Sequence, residues 1–431
     1  MKPSIDQALL RAGVRTAPQY LTGLDLRVGH PSSPCLLVYP QGLDDAALAH
    51  SLTRLLRSYP VITGRMKADK QGHIYIDDSD AGMAFTVHRH ATPLPPYGPG
   101  LAVGRDMARY FRQIYPWKVV DHPQALLAVE VHHFACGGSL MSVMGVHSLC
   151  DGGAFWAFMM DWMRTHHGHP ITPPALDRQA LIDTCEAHID RPYTQGHVEH
   201  LRLRTRMGLM GRMVWQHLTQ MDTVTWHVGT GQIAAWREAA RQVCEEDVIP
   251  AAHDFVIGHA LRHLSARLPH TPTRHIGQVQ DLRLRRIPGI ARKYMGNAVG
   301  HDLMALPRAE LEHPCLTRVA QHCRMPLDRH SEADILAYLG LMARHRRTHS
   351  NQAVWVKGIV HSLHDGVMVN NCAHFPVYKM DFGGGAPSWF DFGRTPYRML
   401  VLTPAPPSLG GGLVARLTAR RAELAGYALT A

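Results

Sequence analysis

The spacing of apolar and polar positions changes period repeatedly along this chain. Apolar runs of strand length occur at residues 35–39, 125–131 and 140–146, with shorter ones at 73–76 and 85–88. Between them, residues 44–58 carry apolar side chains at helical spacing, and residues 154–163 repeat that spacing with aromatic residues on it. The second half follows the same style. Residues 254–268 predict a helix with Val256, Ile257, Ala260, Leu261 and Leu264 on one face, and 335–346 predict another. Residues 354–360 and 367–371 predict strands, and the tail adds two more, 399–404 and 413–417, around a turn at Gly410, Gly411 and Gly412. Strands and helices alternate throughout. The pattern therefore predicts an α/β fold of mixed β-sheets with flanking helices.

A polar, proline-rich passage at 166–192 breaks the alternation. It divides the chain into a first domain at 1–175, a crossover linker at 176–215 and a second domain at 216–431. Two α/β halves of similar size imply a cleft between them, which is a common place for a ligand. The length of 431 residues, the 45% apolar and 19% charged composition and the lack of an internal repeat fit globular domains and exclude a solenoid.

The longest uncharged run, 131–150, is long enough to test as a membrane span. It contains His132, His133, His147 and three glycines, so it predicts buried strands and a loop instead. The first residues lack the apolar core of a signal peptide. Eight cysteines without a CxxC pair do not form a disulfide scaffold and fit a reducing cytoplasm. Thirty-one histidines invite a metal, but HExxH is absent and adjacent pairs such as His132–His133 point in different directions. No metal site is expected. The net charge of +10 fits nucleic acid, a membrane surface or an anionic small ligand. The densest basic clusters, 202–212, 283–286 and 344–347, lack the interleaved aromatics that stack bases. They predict solvated faces or electrostatic help for a small polyanion, and no nucleic acid.

The chemistry centres on HSLCDGG at 147–153. The strand at 140–146 delivers His147 to a rigid strand end, and a helix follows Gly152 and Gly153. An imidazole, with an ordinary pKa of roughly 6.5, is suited to take the proton of a hydroxyl or amine as it attacks an activated acyl group. A thioester is activated enough to need no covalent enzyme intermediate. The same letters also fit a buried histidine with Asp151 capping the next helix. A second HxxxDG stands at 361–366, flanked by strand-like residues on both sides. Asp365-Gly366 there predicts a hairpin turn, and His361 is not assigned to catalysis. Ser139 lies in GGSLM and not in GxSxG. Cys150 neighbours His147 in sequence, which does not make a thiolate–imidazole pair.

Together these motifs resemble the BAHD acyltransferase family over nearly the whole chain. The resemblance rests on LTGLDL at 21–26, YPVITGR at 59–65, FACGG at 134–138, HSLCDG at 147–152, DLR at 281–283 with YMGN at 294–297, and FPVY at 375–378 with DFGGG at 381–385. It implies two chloramphenicol-acetyltransferase-like domains with an active-site channel between them. An acyl-CoA co-substrate would enter from one face and a small-molecule acceptor from the other, with no tightly bound cofactor and a monomeric enzyme. His147 would be the general base. Asp151 would turn away from substrate and pair with Arg283. Gly152 would leave room for the pantetheine arm. Asp381, Gly383 and Gly385 would be structural and lie off the reaction centre.

Two departures stand out. The family's tryptophan in the DFGWG block is Gly384 here, and the Thr/Ser-Ser-Trp before it is Asn370-Asn371-Cys372. Asn370 and Asn371 are candidates to donate a hydrogen bond to the reacting carbonyl. Gly384 is a specificity candidate: either neighbours such as Trp389 or Phe390 fill the space the indole leaves, or substrate does. A condensation-type domain acting on carrier-protein thioesters shares HxxxDG but typically doubles the histidine, where Val146 stands here. A non-catalytic binding protein of the same fold is opposed by the intact His147, Asp151 and Gly152.

Overall fold

The strand-length apolar runs pair into two six-stranded mixed sheets. They are seen in a computed structural model that describes residues 4–99, 107–111, 114–244, 249–268, 271–324 and 329–427. The first sheet runs, in order, Ser4–Leu10, Met83–Arg89, Leu127–His133, Ser139–Val146, Ser32–Tyr39 and Trp389–Asp391. Only Met83–Arg89 and Leu127–His133 pair in parallel. Ser139–Val146 is buried at every position, which is why its sequence is apolar without alternation. The helix Asp45–Leu56 packs Leu48, Leu52 and Leu55 on this sheet, and the helix Gly152–His166 adds Trp156, Phe158 and Trp162.

The second sheet runs Met221–Val228, Leu413–Arg420, Met399–Pro404, Gly366–Asn371, Thr273–Asp281 and Val299–Pro307. The predicted helical face of Val256, Ile257, Leu261 and Leu264, on Ala252–Ser265, packs against Val367, Val369, Leu400 and Leu417. A third apolar cluster joins residues from both ends of the chain, among them Leu24, Leu181, Leu282, Tyr294, Leu339 and Met342. It is one of the contacts between the two halves.

Several expectations need correction. The passage at 166–192 holds a helix, Gln179–Ala187, and the segment 176–215 also contains the strand Val198–His200 and most of a long helix, Leu203–Thr219. These elements are structured because they pack: Leu181 and Cys185 enter the third cluster, and Val198–His200 pairs with Val354–Val356. Trp389–Asp391 crosses from the second half to complete the first sheet. The predicted strand at 354–360 ends at Val356, and Lys357–Ser362 is a helix. Gly358 lies so close to Gly277 that a Cβ on Gly277 would sit 2.8 Å from the Gly358 Cα, so backbone packing decides this turn of helix over its β-branched residues. The predicted hairpin at the second HxxxDG is absent for the same reason: His361 lies on that helix, and Gly366 opens an interior strand paired with Thr273–Asp281 and Met399–Pro404 on its two sides. The uncharged run at 131–150 forms the end of one strand, a turn and Ser139–Val146. No helix among the described residues is long and apolar enough to cross a membrane.

Candidate active site

His147 directly follows the buried strand Ser139–Val146, and its backbone N–H donates to Pro31 O at 2.9 Å. The loop after it ends at Asp151, the N-cap of helix Gly152–His166. Asp151 does two jobs at once. Its Oδ1 accepts from the Ala154 N–H at 2.9 Å, which caps the helix. Its Oδ2 accepts from Arg283 Nη1 at 3.0 Å and from the Ala298 N–H at 2.7 Å. Capping and pairing, alternatives by sequence, are therefore both made. Arg283 also donates to Asp281 Oδ1, Tyr294 O and Gly296 O at 2.9–3.0 Å. Arg283 ties the HSLCDG loop of the first half to the DLR and YMGN segments of the second. Its side chain and that of Asp151 are buried, so the charges are matched in a site that water does not screen.

Asn297 then orients the histidine. Its Nδ2 donates to the His147 carbonyl at 2.8 Å and to Asp25 Oδ1 at 2.9 Å. With both amide donors assigned, Asn297 Oδ1 faces His147 Nδ1 at 3.2 Å as an acceptor. The histidine therefore carries its proton on Nδ1, and Nε2 keeps its lone pair. Asp25 is fixed in turn by Thr22, through its N–H and hydroxyl, and by Arg178 Nε at 3.3 Å. Arg178 and Asp25 are both fully buried. Beside His147, Ser148 Oγ contacts His30 Nδ1 at 2.7 Å, and burial pushes the His30 imidazole down to about 4. His30, Asp25, Arg178 and Asn297 were not singled out as site residues in the sequence. Asn297 and Asp25 lay within recognised segments, but their contacts to the loop span long stretches of chain that spacing does not reveal.

Three residues beyond Asn297, Gly300 and His301 enter the wall of a small cavity. Gln195, His197, Gln280 and His330 line it as well. Burial holds the His301 imidazole well below its usual range, with Arg27 and His147 adding to the shift. Nε2 of His197 and Nε2 of His330 face the buried Asp302 carboxylate at 3.7 and 3.3 Å, and Nδ1 of His197 is buried without a hydrogen-bond partner. That Nδ1 is a group that a polar ligand would satisfy.

Other expected residues take different places. A Cβ on Gly152 would meet the Phe375 ring at 3.1 Å, so this glycine admits an aromatic of the second half. Asn370 and Asn371 end the strand Gly366–Asn371. Asn370 is half-buried, and the exposed Asn371 uses its Oδ1 to accept from the Ala373 N–H. Asp381 Oδ1 accepts from the Gly383 and Gly385 N–H groups and so closes its own loop. That loop packs Phe382 on Trp162 and His166, near the C-terminal end of the helix Gly152–His166. Fifteen residues of helix, about 22 Å, separate it from the His147 loop. A Cβ on Gly384 would come 2.4 Å from Gly42 O. The backbone of Gly42 occupies the space where Trp389 or Phe390 was expected. Cys150 is buried, and burial pushes its thiol up to about 12. Ser139 is buried against His133 Nδ1 at 2.8 Å. His361 lies at the start of Thr273–Asp281, stacked 3.6 Å from His275, and both rings contact Asp365. Asp281, at the other end of that strand, is the end that reaches Arg283.

The comparisons with known proteins agree with this geometry. A model described as "Transferase family" matches residues 36–419. Shikimate O-hydroxycinnamoyltransferase of Nicotiana tabacum is 24% identical, with 95% of this chain and 94% of the relative aligned. Among solved structures, F. graminearum TRI101 complexed with coenzyme A and T-2 mycotoxin superposes with a TM-score of 0.71 at 15% identity, over 95% of this chain and 96% of that one. The first condensation domain of the CDA synthetase superposes less well, at 0.54 and 15% identity, over 94% and 91%. The HxxxDG loop, its arginine clamp on the second half and a family match spanning both sheets place this chain in the BAHD acyltransferases of the Transferase family.

Proposed function

We propose that this enzyme moves an acyl group from an acyl-CoA thioester to a hydroxyl or amine of a small specialised metabolite, with His147 Nε2 as the general base. The observation that carries the reading is the contact from His147 Nδ1 to Asn297 Oδ1 at 3.2 Å. It fixes the tautomer in which Nε2 is free to accept a proton.

As the acceptor oxygen or nitrogen attacks the thioester carbonyl, Nε2 takes its proton and the new C–O or C–N bond forms. The tetrahedral intermediate then collapses. The C–S bond breaks, and the imidazolium returns the proton to the departing coenzyme A thiolate. No enzyme nucleophile is used, in keeping with the buried, protonated Cys150. Asn370 or Asn371 is the donor we assign to the carbonyl oxygen as negative charge develops on it. His197 and His330 give the cavity a polar wall for a hydroxylated or charged part of a substrate.

The reading includes a division into 1–175, a crossover at 176–215 and 216–431, with substrates meeting between the halves. It also includes a monomer in a reducing cytoplasm, supported by eight cysteines that are all free thiols, and no tightly bound cofactor. TRI101, solved with coenzyme A and T-2 mycotoxin, supports a two-substrate reaction. The test is mass spectrometry of products from a mixed panel of acyl-CoA donors and acceptors, with His147→Ala as the control. Products that require carrier-protein-bound acyl groups, or no products with any donor, would overturn it.

A further inference from the structure

The helix Leu203–Thr219 stands on the edge strand Met221–Val228 and buries little of itself. Gln216 is its one buried residue. Arg212, on the same side, donates to Leu363 O at 2.9 Å and helps hold the helix to the body. The opposite side is apolar and open. Leu203, Met207, Met210, Val214 and Leu218 are 61%, 64%, 53%, 60% and 65% exposed. Steps of four, three, four and four residues keep them on one stripe, roughly 80° wide at 3.6 residues per turn. A continuous exposed stripe of this kind marks a contact surface, unlike single exposed apolar residues.

The charges around the stripe select what it contacts. Arg204 and Arg206 fall on its two sides, each roughly 80° from its centre. Arg202 precedes the helix, Trp215 lies roughly 100° from the stripe's centre on the Arg204 side, and the segment 202–219 contains no aspartate or glutamate. Pairing with a second copy through this stripe would set arginine rows beside arginine rows with no acid to answer them. An anionic surface answers all of them. We propose that this helix lies in the interface of a membrane containing acidic lipids, with the five apolar side chains in the acyl boundary, Arg204 and Arg206 among the head groups and Trp215 at the interface. The helix lies on the bilayer and does not span it. The inference is independent of the acyl-transfer reading.

The experiment is vesicle co-sedimentation of the full chain. One set of vesicles is phosphatidylcholine alone and the other contains about one-third phosphatidylserine. Two double variants accompany the wild type: Met210→Glu with Val214→Glu, and Arg204→Glu with Arg206→Glu. All four positions are solvent-facing or half-buried, and a thermal melt checks that each variant is folded. Wild type is expected to pellet with the acidic vesicles and to be released by salt, and each double variant to lose at least about tenfold in binding. Wild type staying in the supernatant, binding equally to both vesicle types, or variants binding like wild type would each overturn the proposal. A concentration-dependent dimer that the Met210→Glu, Val214→Glu variant abolishes, without vesicle binding, would assign the stripe to a second copy instead.

Discussion

Nδ1 of His147 lies 3.2 Å from Oδ1 of Asn297, across 150 residues of chain. The amide faces the ring nitrogen and selects its tautomer, which under the proposed mechanism makes Asn297 a positioning residue acting through His147. His147→Ala should lower kcat/KM by roughly 10²–10⁴-fold with the fold retained. Asn297→Ala should lower it less, by roughly 10- to 100-fold, and should change the pH profile of kcat/KM because the base loses its fixed tautomer. A fall in activity with an unchanged pH profile would mean that Asn297 is only structural.

Asp151 and Arg283 form a buried pair at 3.0 Å. Removing one partner leaves the other charged and desolvated. Asp151→Asn and Arg283→Met should each cost about 3–5 kcal/mol. The measurement is urea unfolding alongside activity. A mutant of unchanged stability and no activity would give Asp151 a direct chemical part.

The HSLCDGG loop is legible in the sequence because its residues are adjacent. A strand, a histidine, an aspartate cap and two glycines all fall within one short window, and each has a local signature. The residues that complete the site are legible only through folding. Asp25 and Asn297 sit 272 residues apart and meet at 2.9 Å. Helix Leu203–Thr219 shows a different failure. Its apolar residues do recur at helical spacing, but a proline-rich and arginine-rich context made the region look like a linker, and an apolar stripe ordinarily faces a core. Lys357–Ser362 was misread because Val354, Val356, Ile359 and Val360 look like one β-branched run. The close approach of Gly358 to Gly277, invisible along the chain, decides it.

His30 gives a pH test. Burial lowers its imidazole from an ordinary 6.5 to about 4. Between those values the unfolded chain binds a proton that the folded one refuses. Its contribution to stability is therefore complete above pH 6.5 and is lost as pH falls toward 4. A shift of this size corresponds to about 3 kcal/mol. His30→Gln should flatten the fall in stability across that window, measured by urea titrations at several pH values. Parallel curves for the two proteins would place the pH dependence on other buried histidines, such as His301.

Gly384 separates two reasons for a glycine. Its neighbours Gly383 and Gly385 have φ of 92° and 86°, a backbone region that side chains disfavour. Gly384 shows no such angle, and its constraint is steric. A Cβ there would stand 2.4 Å from the carbonyl oxygen of Gly42, which is backbone and does not swing aside. Even alanine must push two loops apart, and tryptophan must push them further. Gly384→Ala should therefore destabilise by about 1–3 kcal/mol through overpacking. Gly383→Ala has open space around its Cβ, with His166 3.7 Å away, and should cost about 1–2 kcal/mol through its backbone angle alone. The loop packs at the far end of a fifteen-residue helix from His147, so the range of acyl donors and acceptors should not change in either variant. Thermal melts and a substrate-size series, run on both, check this. A narrowed substrate range with an unchanged melt for Gly384→Ala would return that position to the substrate channel.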